Sequence, residues 1–121
     1  MASVRVLVIS PFPAERSALD ELLRDEGYEV SSWATRAEAL AVVTTWRPDV
    51  VIADAQVSGF DGVALLRELA SLGPPPRTIL LCPRSNHGLA PPEVVCLTKP
   101  IDLAQLFDHL ARLNPSRVKV A

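Results

Sequence analysis

Cysteine is scarce in this chain. There are two in 121 residues, Cys82 and Cys96, with neither a CxxC pair nor a histidine cluster around them. That argues against a zinc site and against a secreted disulfide scaffold, so a reducing cytoplasm is the expected setting. Long apolar runs are missing as well. The apolar stretch after Arg5 in "MASVRVLVIS" is too short for a signal-peptide core and far too short to span a bilayer. Nor is there an excess of one charge: 12 basic against 14 acidic side chains leave −2, with the signs interspersed. No nucleic-acid groove or polybasic membrane patch is expected, and the basic "SRVKV" near the C-terminus is too short to alter that. Glycine-rich phosphate signatures are absent too, both GxGxxG and the Walker loop.

What is present is a hydrophobic share of 49%, enough for a real core, in a length that fits one domain. We take residues 1–121 as a single domain, with a core over 4–113 and a C-terminal tail over 114–121. No room is expected for a DNA-binding or catalytic output domain after Leu113.

The chain alternates between two periodicities. Val4–Ile9 is a nearly continuous aliphatic run, the pattern of a strand buried on both faces. "SPFP" breaks it, and Ala14–Glu26 changes to helical spacing. Ala18, Leu19, Leu22 and Leu23 are assigned to the inner face, and Glu15, Arg16, Asp20, Glu21 and Arg24 to the solvent face. Gly27 supplies the stop. Tyr28–Trp33 reads as a strand. Thr35 and Glu38 form a capping box that opens a helix to about Trp46.

Pro48 excludes further helix, and Asp49–Ala53 is the third strand. Asp61 is the expected N-cap of a helix over Gly62–Ser71. Gly73 and three prolines form a stiff linker to a fourth strand, Arg77–Cys82. A fifth runs over Glu93–Thr98. The last helix, Asp102–Leu113, has Leu103, Leu106, Phe107 and Leu110 on one stripe. Alternating strands and helices imply an α/β, doubly wound, five-stranded parallel sheet of flavodoxin-like type. Its site lies at the carboxyl ends of the strands, where Ser10, Pro11, Asp54, Cys82 and Lys99 fall.

Three segments, "PDVVIAD", "GFDG" and "LTKPID", resemble the receiver domain of bacterial two-component response regulators, and the resemblance covers about Val4 to Leu113. It implies that Asp54 accepts a phosphoryl group from a histidine kinase and that Lys99, before Pro100, contacts that group. It also implies a Mg²⁺ ion held by the acceptor and an acidic pair after the first strand. The sequence departs from the family in five places. Ser10 and Pro11 replace the acidic pair. Cys82 stands at the phosphate-contacting hydroxyl position, and a thiol is a weak donor. Cys96 replaces the aromatic switch residue, and Ser58 replaces a proline. The segment "PRSNHGLAPPE" has three prolines and no apolar stripe, so the fourth helix of the family is expected to be missing or shortened.

These departures set the expected chemistry. With one carboxylate left, Mg²⁺ binding is expected to be weak or lost, and no metal site is assigned. Nothing else anionic is expected to compete for Lys99, so a standing Asp54–Lys99 pair follows. Cys82 and Cys96 read as small core hydrophobes on neighbouring strands rather than a redox pair. His87 and His109 read as surface residues. Trp33 and Trp46 are assigned to packing at the ends of the second strand and second helix.

Two functions fit. One is a stand-alone receiver in a phosphorelay, with output through protein–protein binding and impaired Mg²⁺-dependent activation. The alternative is a phosphorylation-independent pseudo-receiver, an interaction module. Partners would be a histidine kinase or other signalling protein, with a homodimer through the face of the fifth strand and last helix as a further option. An enzyme on a similar sheet is set aside. "SPFPAERS" has no glycine and two prolines without N–H groups, a poor phosphate nest, and Gln56 stands where a dehalogenase-type phosphatase needs a second aspartate.

Overall fold

The computed structural model describes residues 4–55, 62–73, 76–83 and 95–113. The strands are β1 (Arg5–Ile9), β2 (Glu29–Trp33), β3 (Val50–Asp54), β4 (Arg77–Cys82) and β5 (Val95–Thr98). The helices are α1 (Pro13–Asp25), α2 (Arg36–Trp46), α3 (Gly62–Ser71) and α4 (Leu103–Leu113). All strand pairings are parallel, in the order β2-β1-β3-β4-β5. The doubly wound, flavodoxin-like sheet expected from the sequence is therefore present. The segment expected to replace a fourth helix, residues 83–93, lies outside the described residues but for Pro83, as do Ser58, Asp61, His87 and the tail over 114–121.

The period of two along each strand sorts the core into two faces. Val6 and Val8, Val50 and Ile52, Ile79 and Leu81, and Leu97 pack against Leu19 and Leu23 of α1 and Leu106 and Leu110 of α4. Their neighbours Leu7 and Ile9, Val51 and Ala53, and Leu80 and Cys82 pack against Ala39 and Val43 of α2 and Leu65 and Leu69 of α3. Burial on both faces is why these strands are near-continuous apolar runs. Each fully buried Leu, Ile or Val contributes ~1.5–3 kcal/mol relative to exposure.

Local signals set the boundaries. Pro13 opens α1, where its missing N–H costs nothing. Gly27, with φ +94°, turns the chain out of it. Thr35 caps α2, its hydroxyl accepting from the Glu38 N–H at 3.2 Å and donating to the Glu38 carboxylate at 3.0 Å. Arg47 ends α2 at φ +53°, immediately before Pro48.

Two side-chain assignments need correcting. Ala18 of α1 is exposed and Leu22 only half-buried, so the inner face narrows to Leu19 and Leu23. Leu103 is 40% exposed. It is the first residue of α4, before the helix has come fully onto the sheet, and the buried stripe is Leu106 and Leu110 with Phe107 partly buried.

Candidate functional site

The topology reverses direction at β1, whose neighbours are β2 and β3, so the crevice lies beyond the carboxyl ends of β1 and β3. Ser10 follows β1, Asp54 ends β3, and Lys99 follows β5. By the strand period all three belong to the α1/α4 face. Ser10 and Asp54 are fully buried. The Lys99 ammonium bonds the Asp54 carboxylate, and the peptide bond from Lys99 to Pro100 is cis. The Lys99 N–H donates to the Cys82 carbonyl at 2.9 Å, which fixes the backbone of the lysine to the end of β4.

A second carboxylate completes the cluster, and it is one the sequence pattern assigned to solvent. Glu15 Oε1 lies 2.8 Å from Lys99 Nζ, and Glu15 Oε2 accepts from the Ser10 hydroxyl at 2.7 Å. The expectation that nothing else anionic competes for Lys99 is therefore wrong. Helical spacing places Glu15 on a polar stripe, but position 15 lies in the first turn of α1, immediately above the strand ends. The usable signal was an acid in that first turn, five residues beyond Ser10. The positive end of the helix also favours a carboxylate there. Arg16 turns inward as well, donating to the Ser10 carbonyl at 2.8 Å. Phe12, also missed, lays its ring 4.8 Å from Lys99 Nζ, a cation–π contact at the mouth of the site.

The electrostatics follow from two acids sharing one base. Burial raises the Glu15 carboxyl above its ordinary value, and its hydrogen bond to Asp54 adds to that. Lys99 and Ser10 pull it down but do not prevail. Burial pulls Lys99 down, yet the bonds to Asp54 and Glu15 outweigh it and the ammonium is held above its usual range. The arrangement is a closed carboxylate–ammonium–carboxylate group with a net charge of about −1 when both acids are ionised.

These residues do not fit the Mg²⁺ ion that the family resemblance implies. Pro11 brings no side-chain oxygen, and the Ser10 hydroxyl is committed to Glu15. The Lys99 ammonium already bonds both carboxylates and repels a second cation. Among the described residues no group of three His, Cys, Asp or Glu side chains is placed to hold a metal.

Cys82 lies beside this cluster, near enough for the Asp54 charge to raise its thiol and the Lys99 charge to lower it. The strand period turns it to the α2/α3 face, and its thiol meets the Cys96 thiol. Trp33 and Trp46 pack on the same face, Trp33 donating its ring N–H to the Ser31 hydroxyl at 2.8 Å. His109 is half-buried on α4. No helix among the described residues is long and apolar enough to cross a membrane.

Comparison with known proteins identifies the family and the fold. The family described as "Response regulator receiver domain" matches residues 6–111. The chain is 27% identical over 120 residues to Sporulation initiation phosphotransferase F of Bacillus subtilis (strain 168), covering 95% of this chain and 97% of that protein. It is 32% identical over 118 residues to the Transcriptional regulatory protein PrrA of Mycobacterium leprae (strain TN), covering 93% of this chain but 51% of that protein. The chain thus spans about half the length of PrrA. Among solved structures, the receiver domain of the hybrid histidine kinase CckA superimposes with a TM-score of 0.75 at 29% identity, covering 90% of this chain and 97% of that one. A response regulator receiver protein of Sinorhizobium medicae WSM419 shares the fold, with a TM-score of 0.81 at 20% identity and 95% and 97% of the two chains covered. With the fold, the site at the strand ends and the family match over 6–111 in agreement, this chain belongs to the response regulator receiver domain family of two-component signalling.

Proposed function

We propose that the chain is a signalling module, not an enzyme, in which Asp54 is the candidate phosphoacceptor, Lys99 its phosphate anchor, and Mg²⁺-dependent activation is impaired. One observation carries the reading: the Lys99 ammonium is already shared by Asp54 and Glu15. Asp54 is fully buried under that pair. Attack on phosphorus needs the carboxylate uncovered and the incoming charge neutralised, and positioning and electrostatics carry most of that chemistry. Here Lys99 must leave Glu15 before it can serve an incoming phosphoryl group. A relative matched over almost its whole length and named as a phosphotransferase supports a place in a phosphate relay.

The test is incubation of the purified chain with an acyl phosphate and Mg²⁺, followed by intact mass and peptide mapping. Slow, substoichiometric labelling at Asp54 is expected. Glu15→Gln should accelerate it by about tenfold, the scale of one charge-assisted hydrogen bond. Fast, complete labelling of the wild type that saturates with Mg²⁺ overturns the reading.

The Glu15–Lys99 contact favours a second reading, in which the carboxylate stands in for phosphate and the module works without it. Under that reading a host carrying Asp54→Asn keeps the wild-type phenotype, whereas the acceptor reading requires its loss. In either case output runs through protein contacts, to a histidine kinase or another signalling protein. The α4 and β5 face, with Leu103 at its edge, is the surface offered to such a partner or to a second copy.

A further inference from the structure

The acid–base cluster uses one face of the sheet, and the other face brings two thiols together. Cys82 ends β4 and Cys96 lies in β5. The register pairs Leu80 with Cys96 and Cys82 with Thr98, so the two cysteines are diagonal neighbours on adjacent strands. Both turn to the α2/α3 side, Cys82 inside that core and Cys96 packed against it. Their sulfurs lie 2.6 Å apart, and both are free thiols.

The two thiols are not equivalent. Cys82 is 3% exposed, whereas Cys96 is half-buried. Burial pushes the Cys82 thiol up to about 12, with the hydrogen bond to Cys96 adding to it. A thiol held protonated in this way is inert toward solutes, so the more open sulfur is the one a reagent reaches first.

We propose that Cys82 and Cys96 form an oxidisable dithiol, with Cys96 the sulfur first oxidised by hydroperoxide and Cys82 the resolving sulfur. In the first step the Cys96 thiolate attacks a peroxide oxygen and the O–O bond breaks. Cys96 becomes a sulfenic acid, and the departing hydroxide takes a proton to leave as water. In the second step the Cys82 sulfur attacks the Cys96 sulfur while its proton passes to the departing hydroxyl group. The S–O bond breaks, a second water leaves and the S–S bond forms. Two thiols lose two electrons in all, and one hydrogen peroxide is reduced to two waters. Contact between the sulfurs lets the second step proceed although Cys82 is not ionised, because its proton goes straight to the leaving group. The bond would join β4 to β5 directly beneath Lys99, whose N–H already donates to the Cys82 carbonyl. The inference stands apart from any phosphorylation of Asp54.

The experiment uses the full chain, fully reduced, then exposed to hydrogen peroxide, acid-quenched and alkylated in denaturant. With only two cysteines in the sequence, assignment by intact mass and non-reducing peptide mapping is direct. The expected product is a monomer that has lost both alkylatable thiols and two hydrogens, and that dithiothreitol restores. In Cys82→Ser, a dimedone-type nucleophile should trap a sulfenic acid at Cys96, while in Cys96→Ser the remaining thiol should stay unmodified under the same exposure. If both wild-type thiols remain alkylatable, or if only disulfide-linked dimers accumulate, the proposal is overturned. The wild-type measurement decides this without any variant having to fold.

Discussion

The two faces of this sheet reach their carboxyl ends with opposite chemistry. Above the α1/α4 side, β1, β3 and β5 deliver Ser10, Asp54 and Lys99, and α1 answers with Glu15. Above the α2/α3 side, β4 and β5 deliver two thiols in an otherwise apolar cluster. Neighbouring residues in one strand therefore serve different ends: Leu81 packs with the α1/α4 core while Cys82 packs with the other. The difference teaches that position along the strand is not enough to define the site. Cys82 ends its strand next to the level of Asp54 but turns its thiol to the α2/α3 side, while Glu15 sits in a helix and reaches Lys99.

Removing the cation should produce the largest effect. Lys99→Met leaves the buried Asp54 carboxylate without its partner, and losing one member of a buried pair costs ~3–5 kcal/mol. Urea denaturation should read that loss, and adding Asp54→Asn should recover much of it. Full stability in the single variant would mean that the pair does not organise this end of the sheet. Cys82→Ala, on the other face, should cost far less, because no charge is stranded.

A smaller effect is expected in alkali. The folded Lys99 titrates above its ordinary 10.5, so between 10.5 and that higher value the folded chain binds more protons than the unfolded chain. The lysine's contribution is thus fully present below 10.5 and is lost as the pH rises through the folded value. Unfolding measured across that window should show stability falling with pH, with a shallower fall in Glu15→Gln. An unchanged slope in that variant would break the link between Glu15 and Lys99.

The smallest effect provides a control remote from both chemistries. Thr35→Ala removes the hydroxyl that accepts from Glu38, at a cost of ~0.5–2 kcal/mol. Thermal unfolding should register it, with acyl phosphate labelling and peroxide sensitivity unaltered.

Much of this architecture was readable from residues alone, because its signals are local. Pro13, Gly27, the Thr35–Glu38 box and Pro48 mark element ends through their own backbone chemistry. The aliphatic runs ending at Ile9, Ala53 and Cys82 mark strands buried on both sides. Glu15 was missed for a physical reason. A helical wheel ranks a side chain by angle around its own axis and knows nothing of what the first turn overhangs. Leu103 failed in the converse way, apolar and on the stripe by angle but too near the helix end to reach the core.

Local chemistry in the chain was therefore enough to set the order of strands and helices and the placement of Asp54 and Lys99 at strand ends. Which groups meet was decided only by the packed molecule. Glu15 reaches Lys99 across 84 residues of chain, and Cys82 reaches Cys96 across 14, because a parallel sheet brings distant strand ends to one edge. Strand register and helix docking are collective results of burial, and they decide whether a carboxylate becomes a solvated surface group or half of an ion pair.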